Sequence, residues 1–152
     1  MGKIISLKEA IKFHGHLGPY LVLGLKAGEV ALRRLKCNKY FGLEVKIWGA
    51  AKKPKACFID GLQLSTGATY GKNNIHKFNG SVIKAQILNL NNHKIVAIKF
   101  KPHVTDKINS AKTHKDCEVL AIKLYKTNYS KLFNLKLTAR RKNNGTLRTG
   151  HL

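Results

Sequence analysis

Two histidines one residue apart form the first pattern in this chain that suits metal chemistry. His14 and His16 flank Gly15, and Gly18 and Pro19 follow at once. Glycine and proline favour a tight bend, so both imidazole rings can reach one point. Neutral imidazole is a common ligand of zinc, nickel, copper and iron. The pattern favours a transition-metal site, and the alternative is a pair of loop histidines that only form hydrogen bonds.

A thiol and several polar side chains make up a second motif further along the chain. Cys57 offers the soft ligand that zinc-like ions prefer, so His14, His16 and Cys57 are the candidate metal ligands. Three ligands leave a fourth position for water, for Asp60 or for a partner chain. The candidate substrate-binding or supporting residues are Asp60, Gln63, Thr66, Thr69 and Lys72.

The spacing of the supporting residues, and the glycines after them, indicate where these side chains lie. Asp60, Gln63 and Thr66 recur every three residues, so on a helix they share roughly one side. The segment 67–72 is not a nucleotide-binding P-loop, because its glycines are too close together and no Ser or Thr follows the lysine. In one interpretation this segment directs Thr69 and Lys72 toward the site. In the other it is only a turn, and its glycines are there because the backbone conformation requires them.

The balance of charges makes polyanions a candidate class of partner. The chain of 152 residues has 29 Lys and Arg against 7 Asp and Glu, a formal net charge of +22. The lysines are spread along the whole chain, which is equally typical of a general compositional bias. The chain contains no run of about 18 apolar residues. It also lacks the pattern of a secretory signal, so we expect a cytoplasmic protein without membrane contact.

The three cysteines do not suggest a disulfide framework. Their number is odd and they form no CxxC pair. We expect Cys37 and Cys117 to be small buried apolar side chains.

Helices are predicted on both sides of the histidine bend. Ser6 to Glu9 has the form of a capping box and predicts a helix from Leu7 to Phe13. Pro19 suits the first turn of a second helix, which the spacing of leucines extends to Leu35. A third helix, from Cys57 to Ser65, is expected to end at Gly67.

Alternating and apolar runs predict the sheet. Leu43–Trp48 has the two-residue period of a half-buried strand. Ser81–Leu90 and Lys94–Lys101 form a predicted hairpin around Asn91-Asn92-His93. Further elements are predicted to begin at Thr105-Asp106 and at Asp116 and to span Ser130–Leu137. Together they predict one α+β domain, residues 1–137, with helices packed on a small, mainly antiparallel sheet. Residues 138–152 form a basic tail that we expect to be poorly ordered.

The two motifs together resemble the family of the E subunit of formylmethanofuran dehydrogenase. The similar segments are FHGHLGPYLVLG, residues 13–24, and CFIDGLQLSTGATYGKNN, residues 57–74. The resemblance covers roughly residues 6–133 and implies a compact α+β homodimer. It implies a transition metal, usually zinc, bound by His14, His16 and Cys57, with Asp60 and Gln63 close by. The cysteines that many relatives carry at Gly18 and Ala68, and their C-terminal zinc ribbon, are absent here.

The resemblance favours a metal-binding accessory protein in archaeal, methanogenesis-type one-carbon metabolism. Its candidate partners are the subunits of formylmethanofuran dehydrogenase. One alternative is an enzyme in which the same divalent ion activates water or a small carbonyl substrate. A second alternative is a basic nucleic-acid-binding module, which the absence of a recognised RNA- or DNA-binding motif disfavours.

Overall fold

The computed structural model describes residues 2–139, which form six helices and a five-stranded sheet. The helices are α1 (Leu7–His14), α2 (Pro19–Leu35), α3 (Cys57–Thr66), α4 (Pro102–Ser110), α5 (His114–Lys126) and α6 (Tyr129–Leu132). The strands are β1 (Leu43–Trp48), β2 (Ile75–Phe78), β3 (Lys84–Asn89), β4 (Lys94–Phe100) and β5 (Phe133–Ala139). The predicted α+β class is confirmed. Strand β5 continues two residues into the predicted tail, and the rest of that tail lies outside the described residues.

The sheet has the strand order β2-β1-β3-β4-β5. Strands β1 and β2 are parallel, and the other three neighbouring pairs are antiparallel. Strand β2 was not predicted from the sequence, because it has four residues and only Ile75 is buried. So short an element shows no two-residue period, and its pairing with β1 is what makes it a strand.

Local capping signals explain where the helices begin. The predicted capping box of Ser6 and Glu9 is formed at α1, and Pro19 is the first residue of α2. Helix α4 begins at Pro102 rather than near Thr105, again with proline in its first turn. Helix α5 begins two residues before Asp116, because Asp116 is the third helical residue of a second capping box with Thr113. The predicted starts of both helices were therefore too late.

The core lies between the helices and one face of the sheet. Leu43, Val45 and Ile47 of β1 point into it, while the residues between them are only partly buried. Helix α2 crosses this face and contacts β3, β4, α3 and α5. Among residues 2–139, no helix is long and apolar enough to cross a membrane.

Two glycines allow α2 and α3 to pack unusually closely. A Cβ atom on Gly24 would lie 2.3 Å from the carbonyl oxygen of Phe58, and one on Gly61 would lie 2.3 Å from that of Leu21. Ser65 in α3 donates a hydrogen bond across the contact to the Gly24 carbonyl, at 3.1 Å. This close packing fixes the first turn of α3 beside the bend that precedes α2.

Candidate metal centre

His14, His16 and Cys57 come together at the junction of α1, α2 and α3. The Nε2 atoms of the two histidines lie 2.9 Å apart, and the Cys57 Sγ lies 3.9 Å from the His16 Nε2. All three donor atoms lie within 4.8 Å of one another. Within residues 2–139, this is the only group of three histidine, cysteine or acidic side chains whose donor atoms converge in this way.

Helix ends place these donors. His14 is the last residue of α1, and Gly15 reverses the chain with a φ of 97°. Glycine adopts this left-handed conformation without strain, so the chain can bring His16 back over His14. Cys57 is the first residue of α3, and its sulfur lies 3.9 Å from the His16 Nε2. The bend and the start of one helix are thus sufficient to assemble the group.

Asp60 orients His14. Its Oδ2 lies 2.6 Å from the His14 Nδ1, and the His14 side chain is only 9% exposed. A carboxylate acceptor at Nδ1 favours the tautomer that has its proton there. The lone pair of Nε2 is then directed at His16 and Cys57, as in metal sites where a carboxylate supports a ligating histidine.

The Cys57 thiol is held in its neutral form by its surroundings. Burial raises the pKa of Cys57, and the negative charge of Asp60 raises this pKa further. A thiolate at this position therefore needs a compensating positive charge. A divalent ion bound by the same sulfur supplies that charge directly.

The donor set fits zinc. In a tetrahedral site with Zn–N bonds of about 2.0 Å and Zn–S bonds of about 2.3 Å, the ligand atoms are about 3.3–3.6 Å apart. The separations of 2.9 Å between the two Nε2 atoms and 3.9 Å between the Cys57 Sγ and the His16 Nε2 lie on either side of that range, and all three donor atoms lie within 4.8 Å of one another. His16 is exposed, so the group is open to solvent on the side of this residue.

Gln63 and Tyr70 extend the polar side of α3 beyond Asp60. The Gln63 amide nitrogen lies 3.4 Å from the Asp60 Oδ1, and its oxygen accepts a hydrogen bond from the Tyr70 backbone N–H at 3.3 Å. Burial raises the pKa of the Tyr70 phenol, and the charge of Asp60 adds to this. Tyr70 was not among the residues predicted from the sequence, although it lies within the second motif.

Thr66, Thr69 and Lys72 stabilise the end of α3 and the loop after it. The buried Thr66 hydroxyl donates to the Leu62 carbonyl at 2.6 Å and accepts from the Ala68 N–H at 3.1 Å. Lys72 donates to the carbonyl of Gly67 and to the hydroxyl of Thr69. In the described part of the chain, none of these hydrogen bonds reaches His14, His16 or Cys57.

The two other cysteines lie away from this group. Cys37 is buried in the core, as predicted. Cys117 in α5 is only partly buried, and its sulfur lies 3.9 Å from the Ala111 carbonyl oxygen, so the prediction of full burial was wrong for this residue. It lies near the start of α5, where no residue before Leu120 is buried.

Comparisons with known proteins agree with the motifs. Residues 13–139 match the family model described as FmdE, molybdenum formylmethanofuran dehydrogenase operon. A similar solved structure is that of an FmdE-like protein from Syntrophus aciditrophicus, named for the E subunit of tungsten formylmethanofuran dehydrogenase, with a TM-score of 0.55 and 15% sequence identity. The alignment covers 95% of this chain and 75% of that one, and at this identity it supports the fold alone. No curated protein matches the sequence.

Proposed function

Since the family match shows that the chain belongs to the FmdE family, we propose that it is a transition-metal-binding protein with one ion held by His14, His16 and Cys57. The observation that carries this proposal is the convergence of the three donor atoms within 4.8 Å. Zinc is the proposed ion, because two imidazoles and one thiolate are a donor set that zinc accepts.

Asp60 has a defined part in this proposal. It holds the proton of His14 on Nδ1, so that Nε2 is available as a ligand, and its 2.6 Å contact fixes the plane of the ring. When bound, the ion would act as a Lewis acid at the open position beside His16. Gln63 supports this arrangement, because its amide nitrogen lies 3.4 Å from the Asp60 Oδ1 and its amide oxygen accepts a hydrogen bond from the Tyr70 backbone N–H.

An accessory role in one-carbon metabolism is the second part of the proposal. It rests on membership of a family described by its formylmethanofuran dehydrogenase operon, and it makes subunits of that enzyme the candidate partners. Exposed aromatic side chains close to the ligands offer a contact surface for such a partner or for a second copy of this chain. Phe13 is 63% exposed and Tyr70 is 50% exposed.

Elemental analysis of untagged protein prepared without chelator tests the metal site. We expect about one zinc ion per chain, and we expect it to be lost in Cys57→Ser and in His16→Ala. The matched control is Cys117→Ser, which removes a partly buried thiol remote from the group and should retain the metal. Unchanged metal content in Cys57→Ser, or an unmodified protein that takes up no metal after reconstitution, would contradict the proposal.

A further inference from the structure

The face of the sheet that is turned away from the helices has no element packed on it in residues 2–139. We call it the open face and define it by the strand residues that the register places on the same side as Glu44, Lys46 and Trp48, opposite the core residues Leu43, Val45 and Ile47. Its members are Glu44, Lys46, Trp48, His76, Phe78, Lys84, Gln86, Leu88, Ile95, Ala97, Lys99, Asn134, Lys136 and Thr138.

One row of directly paired residues crosses all five strands of the open face. From the β2 edge to the β5 edge it consists of Phe78, Trp48, Lys84, Lys99 and Asn134. Phe78 stacks on Trp48 with ring centroids 5.2 Å apart, and the Lys84 ammonium lies 5.3 Å from the Trp48 ring centre. Phe78 is 42% exposed at the edge of the sheet. The row thus offers an aromatic platform at one end and positive charge beside it.

The lysines of the open face have no acidic partners. Lys84 and Lys99 lie directly opposite each other, an arrangement of like charges that destabilises a sheet. Among residues 2–139, no lysine lies within ion-pair distance of a carboxylate. Glu44 is the only acid that the described strands place on this face, and it is 3.3 Å from His76. A bound anion would relieve the repulsion between the two lysines.

Charge argues against a second copy of the chain as the occupant of the open face. Two such faces packed together would bury four lysines from each copy in one interface, and Glu44 is the only acid that the described strands place on each face. These lysines are Lys46, Lys84, Lys99 and Lys136. A polyanion with flat apolar groups matches the face better, because phosphates pair with lysines and bases stack on aromatic rings.

We propose that the open face binds single-stranded nucleic acid, with its phosphates along the four lysines and a base stacked on Phe78. The five strands are about 19 Å across, four spacings of about 4.8 Å, which suits a short single strand. A depression of about 220 Å³, lined by Glu44, Lys46, Gln86, Leu88 and Ile95, lies beside the row and offers room for a further base. Unpaired bases are required, since paired bases cannot reach the Phe78 ring.

Fluorescence anisotropy with the full, metal-loaded chain tests this proposal. The probes are fluorescein-labelled oligo(U) and oligo(dT) of about 20 nucleotides and a duplex of the same length. The triple variant Lys46→Gln/Lys84→Gln/Lys99→Gln should weaken binding at least about tenfold and reduce the salt slope by about two, as expected for three lost phosphate contacts to a single strand. The matched control Lys107→Gln/Lys115→Gln/Lys123→Gln removes the same charge from exposed positions of α4 and α5. It should weaken binding less than about threefold.

Removal of the Phe78 ring separates the contribution of stacking to the binding affinity from the contribution of charge. Phe78→Ala should weaken binding about tenfold without a change in the salt slope, whereas Phe41→Ala, at a residue 75% exposed before β1, should leave it unchanged. Retained metal content and an unaltered circular dichroism spectrum establish that each variant is folded.

Several results would overturn the proposal. One is an equal loss of affinity in the two lysine triple variants, which would indicate a response to net charge alone. Another is a preference for the duplex, or no binding of either single strand at low salt. If the open-face variant instead changes the mass measured by light scattering while the unmodified protein binds no oligonucleotide, the face is an interface between copies. If the unmodified protein does bind single strands, the ratio of its affinities for oligo(U) and oligo(dT) shows whether RNA or DNA is the preferred ligand.

Discussion

The contact between Asp60 and His14 decides which ring nitrogen of His14 can bind a cation. The carboxylate accepts at Nδ1, at 2.6 Å, and directs Nε2 toward His16 and Cys57. The same carboxylate adds negative charge beside a thiol whose pKa burial has already raised. Asp60 thus leaves the Nε2 of His14 free to act as a ligand, and it adds to the negative charge that a bound cation would balance.

Replacement of Asp60 by asparagine should weaken zinc binding about 10- to 100-fold. The amide can still accept a hydrogen bond from Nδ1, but it lacks the charge that makes the imidazole a stronger ligand. Competition with a chromophoric chelator measures the change. Asp106→Asn, a substitution of an exposed carboxylate in α4, should have no effect. An affinity of the Asp60→Asn variant equal to that of the unmodified protein would exclude a supporting role for this carboxylate.

Zinc affinity should rise with pH up to the pKa of Cys57. Zinc binds the thiolate, so below that pKa each bound ion must displace the thiol proton, and the apparent affinity gains about tenfold per pH unit. Because burial and Asp60 raise this pKa, the rise should extend beyond about pH 8.5, the ordinary value for a thiol. Calorimetry in buffers of different ionisation enthalpy counts the released proton.

A carboxylate ligand provides the control for this pH dependence. Cys57→Asp offers a ligand that is already ionised at neutral pH, so its weaker zinc binding should change little between about pH 7.5 and about pH 9. The same slope in both proteins would show that the proton does not come from Cys57.

Among the elements, the pair α2 and α3 matters most to the site, because their packing sets the position of Cys57 relative to the histidine bend. The two helices approach so closely at Gly24 and Gly61 that neither position has room for a side chain. Phe58 and Leu62 of α3 are fully buried in the same contact. Any separation of these helices moves the thiol away from the imidazoles.

Gly24→Ala should therefore destabilise the fold by about 1–3 kcal/mol and also weaken zinc binding. Its Cβ would lie 2.8 Å from the Gly61 Cα, a backbone atom that moves only with the whole helix. Gly71→Ala is the control, since the nearest atom to its Cβ would be 4.0 Å away. Urea denaturation and zinc titration measure the two effects. A Gly24→Ala protein as stable as Gly71→Ala would contradict this account of the helix contact.

For the whole molecule, a shared ion would join two segments that are distant in the chain. The histidine bend precedes α2, and Cys57 follows β1 at the start of α3. A ligand that binds only the folded state stabilises the whole fold in proportion to its concentration and affinity.

Zinc at about one hundred times its dissociation constant should stabilise the folded chain by about 2.7 kcal/mol. For a chain of this length, that corresponds to an increase in Tm of about 5–10 °C. Calorimetry with and without zinc measures the shift, and a chelator should reverse it. Cys57→Ser should show little or no shift. A Tm increase of the same size in this variant would place the stabilising ion elsewhere.

Much of the fold follows from local signals in the sequence. The limits of α2 and β1 were predicted correctly, because proline, leucine spacing and strict alternation act over a few residues. The histidines and Cys57 were recognised as candidate ligands from their types and from the glycine bend. Whether they bind a metal is still a prediction, but their convergence is an observed property of the fold.

Tertiary structure decided the features that depend on residues distant in sequence. The sequence identified Asp60 as a polar neighbour, but only the packing of α1 against α3 showed that it contacts His14. Strand β2 exists through its pairing with β1, and the same pairing stacks Phe78 on Trp48. Composition showed a net charge of +22, whereas the strand register showed that four lysines share a face. Local patterns report hydrogen bonding and hydrophobicity over a few residues, while contacts across the chain form only when the core closes.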